Sequence, residues 1–304
     1  MRDFNWLGDG AGRVVDKTPQ WGVVQTLHCR IDSWRPGSYH STMQDPIQHV
    51  SDTAFWVAAY RADETKRSDA LFQDPLAEVL VEGRGREIAS EMQQSAVASW
   101  SVVVRTRLID RYIMESIAGG VDMIVNLGAG LDTRPYRLAL PKSLLWIEAD
   151  FPGTMEFKNE RLASYQPNCR LERAKVDLSK DDSRRSFLSA INQRGRKILI
   201  ITEGVVPYLS LEEGGALAKD LHNQSNVALW VTDYLAPVLI REFLKNQLVK
   251  APFKFAPDNW ELFYKERGWA LKQMRYLDEE GEALGRTTPP NMKSMIGFGL
   301  LSKV

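Results

Sequence analysis

Two patterns of apolar and polar positions follow each other regularly along the second half of this chain. Short runs that are apolar at nearly every position, such as residues 197–204, are typical of strands buried on both faces of a sheet. Longer segments with apolar positions three and four residues apart separate them, as in amphipathic helices. The pattern predicts strands at 121–128, 143–150, 169–178, 197–204, 226–234, 270–277 and 296–303.

The predicted helices complete this alternation. They lie at 52–66, 100–118, 154–165, 182–193, 211–223, 237–248 and 258–267. Strands that alternate with helices of this length form βαβ units around a parallel sheet. The sequence therefore predicts an α/β fold with a mostly parallel sheet, and we interpret residues 43–304 as one domain.

Residues 1–42 differ from the rest of the chain. They contain three tryptophans and five glycines but no sustained helical or alternating pattern. We expect this leader to be disordered, with Met43 as an alternative start of the protein. The alternative is a lid whose tryptophans pack over a site.

Charge and composition exclude several classes of function. Lys and Arg total 39, and Asp and Glu also total 39, so no net charge attracts nucleic acid or an anionic membrane. No apolar run approaches the roughly 18 residues of a membrane span, and no signal segment opens the chain. Cys29 and Cys169 are too few for a disulfide framework and are not spaced as metal ligands. We expect a cytoplasmic protein without metal, nucleic acid or membrane partners.

The first strand of the alternating region ends in the loop Gly128-Ala129-Gly130. Glycines at this point let the backbone approach a ligand at the carboxyl edge of the sheet. The dinucleotide fingerprint needs a third glycine at position 133, which is threonine here, and Asp132 would repel a diphosphate. The loop therefore favours a cationic or zwitterionic ligand, although a purely structural turn is the alternative.

Acidic residues end the next three strands at the same edge. Glu148 and Asp150 end the second strand, two residues apart on one side, and the pattern alone does not choose between them as acceptors of ribose hydroxyls. Asp177, with Leu178, ends the third strand, and Glu203 ends the fourth. An acid-lined pocket that accepts adenosine and a positive centre suggests S-adenosylmethionine.

Arg105 lies on the apolar side of the predicted helix 100–118. At 100° per residue it falls among Leu108, Ile109 and Tyr112, whereas Asp110 falls on the polar side. A buried arginine needs an anion. Its partner is either a structural carboxylate or the carboxylate of the cofactor's methionine part.

The motifs VNLGAGLDTRPYRL (125–138), WIEADFP (146–152), VDL (176–178) and TEGVVPYLS (202–210) resemble the leucine carboxyl methyltransferase family. They are most similar to its bacterial branch of small-molecule O-methyltransferases, which the stretch FQDPLA (72–77) also fits. The resemblance implies a class I methyltransferase sheet, Rossmann-like, with seven strands of which the last is antiparallel, and a helical cover. It also implies S-adenosyl-L-methionine as cofactor.

By the same resemblance, Arg105 would hold the cofactor carboxylate and Gly128, Ala129 and Gly130 would form the loop along its methionine part. Asp150 would accept the ribose hydroxyls. Asp177 and Leu178 would flank the adenine, and Glu203 would face the amino group or the sulfonium.

The reaction expected from this family branch is methyl transfer to a carboxylate or an acidic hydroxyl of a small molecule. None of the four histidines lies in the motifs, which favours an acceptor that needs no general base. Tyr208 is the candidate for orienting the acceptor, with simple packing as the alternative. We expect Arg134 and Arg137 to be structural partners of Asp150 or Asp132.

Two other functions remain open. The enzymes of this family that methylate a protein C-terminus carry a lysine in the N-terminal helix, and residues 53–56 have none, which disfavours a protein carboxylate. A catalytically silent protein that binds S-adenosylmethionine is the other alternative.

Overall fold

The computed structural model describes residues 6–8, 52–81, 83, 86–87, 96–246 and 253–304. The expectations of a disordered leader over residues 1–42 and of a start at Met43 lie outside the described residues, apart from residues 6–8.

A single eight-stranded sheet forms the centre of the described structure, with the strand order β1-β4-β3-β2-β5-β6-β8-β7. The neighbours among β2 to β6 pair in parallel, and β8 runs antiparallel to both β6 and β7. The strands are β1 Trp6–Gly8, β2 Met123–Leu127, β3 Leu145–Asp150, β4 Arg170–Lys175, β5 Ile198–Thr202, β6 Val227–Leu235, β7 Trp269–Tyr276 and β8 Ile296–Lys303.

This topology confirms the α/β class, the seven predicted strands and the antiparallel last strand. The prediction did not include β1, which pairs antiparallel with the outer edge of β4, Trp6 opposite Ala174. Three residues are too short for a periodic signal, so only pairing with a distant strand defines this element.

Helices cover both faces of the sheet. They are α1 Asp52–Thr65, α2 Pro75–Val81, α3 Ala96–Ala118, α4 Arg134–Arg137, α5 Pro152–Leu162, α6 Asp181–Asn192, α7 Leu211–His222, α8 Pro237–Asn246, α9 Trp260–Lys265 and α10 Leu277–Ala283. The short helices α2, α4 and α10 were not among the predicted ranges. The α3 helix begins four residues earlier than expected, and α5 ends three residues earlier. Among the helices described, none has the length and apolarity needed to span a membrane.

The alternation of side chains along the strands divides the core into two layers. Val125 and Ile147 face the side covered by α6 and α7, where Phe187 and Leu217 are buried. The intervening residues of these strands, Ile124 and Trp146 among them, face α3 on the other side. The sheet is therefore buried on both faces, as its apolar strands predict.

A third buried cluster joins α1 and α2 above the carboxyl ends of the strands. The buried Asp74 carboxylate accepts hydrogen bonds from Arg61 Nε at 2.8 Å and from Thr133 Oγ1 at 2.6 Å. Arg61 also donates to the carbonyl oxygen of Leu131 at 2.6 Å. This network fixes the helical cover to the loop after β2, and it explains the aspartate of the stretch FQDPLA.

Candidate active site

A cavity of about 690 Å³ lies between the carboxyl ends of the central strands and the cover formed by α1 and α3. This is the edge at which ligands bind in open α/β sheets. Eight of the nine residues predicted for the site line it, namely Arg105, Gly128, Ala129, Gly130, Asp150, Leu178, Glu203 and Tyr208.

The loop after β2 requires both of its glycines. Gly128 and Gly130 have φ angles of +67° and +46°, a backbone region that L side chains rarely adopt. A Cβ on Gly128 would lie 2.4 Å from Cγ2 of Val205, and one on Gly130 would lie 3.1 Å from Cβ of Ala54. The backbone therefore passes close to both the cover and the loop after β5.

Replacing Gly128 with alanine is expected to destabilise the protein. The left-handed backbone alone costs about 1–2 kcal/mol, and the overlap with Val205 adds to it. The matched control is Gly153→Ala, because Gly153 is an exposed helical residue with no atom near its absent Cβ. The control should stabilise α5 by roughly 0.5–1 kcal/mol. Urea unfolding of both variants measures the difference, and equal midpoints would contradict this account of the loop.

The structure distinguishes between the two acids that end β3. Asp150 lines the cavity, and its Oδ2 and Oδ1 each accept a hydrogen bond at 2.7 Å, from the backbone N–H of Gly130 and of Phe151 respectively. Burial raises the pKa of this carboxyl above its ordinary value, in spite of those two N–H groups. Because each oxygen has a second lone pair, Asp150 can accept further hydrogen bonds from a ligand.

Glu148, one pleat further from the cavity, is fully buried and has structural partners. Its Oε1 lies 2.8 Å from Nζ of Lys158 and its Oε2 lies 2.7 Å from Nε of Arg173. Both cations are themselves buried. Glu148 therefore holds α5 and β4 against β3 and does not face a ligand.

Arg105 and Glu203 form an ion pair on the cavity wall, with Nε and Oε1 2.8 Å apart and side chains that are 18% and 14% exposed. The other oxygen of Glu203 accepts a hydrogen bond from Nη1 of Arg134 at 2.8 Å. Burial opposes ionisation of Glu203, but Arg134 and Arg105 outweigh it and lower the pKa of this carboxyl. Arg105 thus has a structural carboxylate partner and also lines the cavity, so its two predicted interpretations are compatible.

Arg134 is a buried arginine next to the Arg105–Glu203 ion pair, and it contacts three carboxylates. Besides Glu203 it contacts Asp110 and Asp132, each at 2.8 Å. The prediction that it is structural and paired with Asp132 is confirmed. Arg137 donates instead to both oxygens of Asp110 at 2.7 Å.

Two expectations from the sequence were wrong here. Asp110 is only 2% exposed and not on a solvated face of α3, because both arginines of α4 pack against it. Asp132 is not a free anion that could repel phosphate, because Arg134 neutralises it and lowers its pKa against the effect of burial. The N-terminus of α4 is still a poor site for an anion, because the third glycine is missing and the helix has only one turn.

Asp177 is placed differently from the other predicted residues. Its neighbours Val176, Leu178 and Ser179 line the cavity. The Asp177 Oδ1 atom accepts hydrogen bonds from the backbone N–H of Ser179 at 3.0 Å and from its hydroxyl at 2.6 Å. The structure thus gives Asp177 a local role in the turn after β4, and its contact with adenine stays a prediction.

Tyr208 ends a short 3-10 turn after β5, Val206–Tyr208. Its ring lies 5.1 Å from that of Phe253, and its hydroxyl is hydrogen-bonded to the side chain of Thr53 in α1. Burial raises the pKa of this hydroxyl. Tyr208 therefore both packs and lines the cavity, and its role toward an acceptor stays a prediction.

Sequence reasoning missed Asp233, a buried carboxyl near the end of β6 that also lines the cavity. The strand pattern did contain a signal for it, since Asp233 is the one charged residue of β6, a strand that is otherwise mostly apolar. In the residues that the structure describes, no three His, Cys, Asp or Glu side chains are grouped so as to hold a metal ion.

A family model and two curated relatives agree on the family to which this chain belongs. The sequence model of the leucine carboxyl methyltransferase family matches residues 54–222. A protein of Frankia alni is 32% identical over 262 residues, which cover 79% of this chain and 90% of the relative. A protein of Mycobacteroides abscessus is 27% identical over 277 residues, covering 83% and 90%. Both carry S-adenosyl-L-methionine-dependent methyltransferase as a provisional name.

Two solved structures share the fold at low sequence identity. A DUF574 family protein of Streptomyces avermitilis aligns with a TM-score of 0.56 and 12% identity, covering 81% of this chain and 97% of that protein. A protein of Thermobifida fusca aligns with a TM-score of 0.52 and 14% identity, covering 74% and 92%.

Proposed function

Since the chain belongs to the leucine carboxyl methyltransferase family and uses S-adenosyl-L-methionine as methyl donor, we propose that it methylates an oxygen of a small molecule. The acceptor is a carboxylate or an acidic hydroxyl. The observation that carries this proposal is the cavity in which the Arg105–Glu203 pair, the Asp150 carboxylate and an extensive apolar wall meet.

The residues present fit the cofactor. The guanidinium of Arg105 is suited to its carboxylate and the anionic Glu203 to its ammonium group, and both side chains are partly open to the cavity. Asp150 is held by two backbone N–H groups in a position to accept the ribose hydroxyls. Leu178 offers an apolar contact for the adenine ring.

The bound cofactor supplies an electrophilic methyl group on a positively charged sulfur. The chain's own task is to align the acceptor oxygen with that methyl group and to keep water out. Apolar side chains provide both functions on the acceptor side, among them Trp56, Val57, Val102, Leu235 and Phe253. A wall of this kind favours a compact apolar molecule over a polar peptide terminus.

Calorimetric titration with S-adenosyl-L-methionine and with S-adenosylhomocysteine tests the cofactor assignment. We expect micromolar binding of both and no binding of NADH. Arg105→Ala should weaken binding by roughly 10- to 100-fold, the value of one charge-assisted hydrogen bond or ion pair. The fold should tolerate this change because Glu203 keeps Arg134 as a partner.

The control is Arg107→Ala, two residues along the same helix. Arg107 is 40% exposed and its nearest carboxylate is 4.0 Å away, so its loss should leave cofactor affinity unchanged. A folded protein that binds neither ligand would overturn the proposed function. Methylation of peptide C-termini in preference to small molecules would favour a protein carboxyl methyltransferase.

A further inference from the structure

Asp233 occupies the boundary between two cavities. Its carboxylate oxygens lie 2.9 and 3.1 Å from the backbone nitrogen of Gly204, which follows Glu203, and the residue is only 7% exposed. It lines the main cavity and also a second cavity of about 280 Å³. Asp233 is therefore a carboxylate placed between the cofactor side and a separate binding space.

The second cavity has aromatic walls. The Tyr234 ring lies 5.9 Å from that of Trp260 and 5.7 Å from that of Tyr276, both edge to face, and all three residues line the space. Such walls suit a flat apolar ring. Asp258 and Glu261, both exposed at its rim, disfavour an anion there.

Titratable side chains from three elements face Asp233, and Lys254 also lines the main cavity. Glu203 and Tyr208 approach it from the loop after β5, Arg105 from α3 and Tyr264 from α9. Among these described neighbours Arg105 is the cation, and Glu203 already pairs with it. An acceptor carboxylate would thus add a negative charge beside Asp233 and Glu203, where Arg105 and Arg134 are already paired with Glu203. A neutral hydroxyl adds no charge and can donate a hydrogen bond to Asp233.

Burial raises the pKa of Asp233 to about 7, against the opposing influence of the Gly204 N–H and of Arg105. Glu203 adds to the rise. A carboxylate that titrates near the working pH is suited to accepting a proton during a reaction.

We propose that Asp233 is the general base of this enzyme and that its acceptors are neutral aromatic hydroxyl compounds. This inference rests on the proposed function and narrows it to one class of acceptor. The new bond joins the acceptor oxygen to the methyl carbon, while the bond from that carbon to sulfur breaks and sulfur keeps its electron pair. The hydroxyl proton passes to the Asp233 carboxylate, which later releases it to water.

The test uses the full-length protein and Asp233→Asn, which keeps an oxygen that can accept the Gly204 N–H but cannot take up a proton. Calorimetry with S-adenosylhomocysteine comes first, and both proteins should bind it with affinities within about threefold. Failure of both proteins to bind would refute the proposed function itself. Loss of binding in the variant alone would give Asp233 a structural role and overturn the inference.

Infrared difference spectra of the two proteins then isolate the Asp233 carboxyl band without any acceptor. With the neutral S-adenosylhomocysteine bound, the band should titrate near neutral pH. With S-adenosyl-L-methionine bound, the sulfonium charge should lower the midpoint by about one pH unit or more, because a cation a few ångströms away favours the carboxylate. Equal midpoints would show that Asp233 is not beside the transferred methyl group, and would overturn the inference.

The acceptor class is tested with a matched pair, 2-naphthol and 2-naphthoic acid, and methyl-labelled cofactor. We expect transfer to the naphthol, a rate that rises with pH as Asp233 ionises, and a loss of about 100-fold or more in Asp233→Asn. Three results would each overturn the inference that Asp233 is the general base for aromatic hydroxyl acceptors. They are a preference for the naphthoate, an undiminished rate in Asp233→Asn, and transfer to neither probe.

Discussion

Replacing Arg134 with methionine will lower the free energy of unfolding by about 3–5 kcal/mol, the usual result of breaking a buried ion pair from one side. Arg134 is 2% exposed and compensates Asp110, Asp132 and Glu203. Methionine preserves most of the volume but leaves these carboxylates without their shared cation. Asp110 and Glu203 retain one arginine each, Arg137 and Arg105, so the loss should fall short of complete unfolding.

Urea unfolding at neutral pH measures this effect. The control is Arg196→Ala, which removes an arginine that is 94% exposed and paired with Asp122 at 3.1 Å. A surface pair of this kind contributes less than about 1 kcal/mol. If Arg134→Met changed stability no more than the control, the buried charge network would not support the loop as described.

The Asp150→Ala variant will lose about 3–4 kcal/mol of cofactor binding, roughly 100- to 1,000-fold in dissociation constant. The proposed ribose contact consists of two hydroxyl donors to one carboxylate, and each charge-assisted bond contributes about 1.5–2 kcal/mol. The N–H of Gly130 also loses its acceptor, so the loop beside the cofactor becomes less fixed. Because burial raises the pKa of Asp150, affinity in the wild type should fall when pH drops through that pKa.

Glu148→Gln is the matched control, two residues earlier on the same strand. Glu148 is fully buried and pairs with Lys158 and Arg173. Its substitution should reduce stability in urea but leave the cofactor affinity of the folded protein within about threefold. The reverse result, with Glu148 controlling affinity and Asp150 only stability, would contradict the assignment of the ribose acceptor.

The periodic elements of this fold were predictable because each contains its own signal. The last strand was predicted at 296–303 and observed at Ile296–Lys303, and helix α7 differs from its prediction by one residue. The start of helix α7 also has a signal in the neighbouring sequence, since Ser210 and Glu213 form a reciprocal capping box.

Elements without a local signal were missed. Helix α2 has only seven residues, and it is stable because Leu76, Ala77 and Leu80 are buried against α1. The polar helix α10 likewise depends on burial of Leu277 in the core of the domain. Contacts between distant segments decide such elements, and a short window of sequence does not contain them.

The sequence by itself determined the sheet, the glycine loop and the edge at which the acids end their strands, because period and spacing dictate which residues share a face. Only the tertiary structure decided what each acid does there. Glu148 and Asp150 lie two residues apart on the same side of β3, so the sequence pattern treats them alike. Glu148 is a buried ion-pair partner because Lys158 and Arg173 pack against it, whereas Asp150 lines the cavity. The burial of Asp110 and Asp233 was likewise decided by the tertiary structure. The cost of burying a charged side chain depends on which groups of other elements pack against it, and the local sequence does not contain those groups.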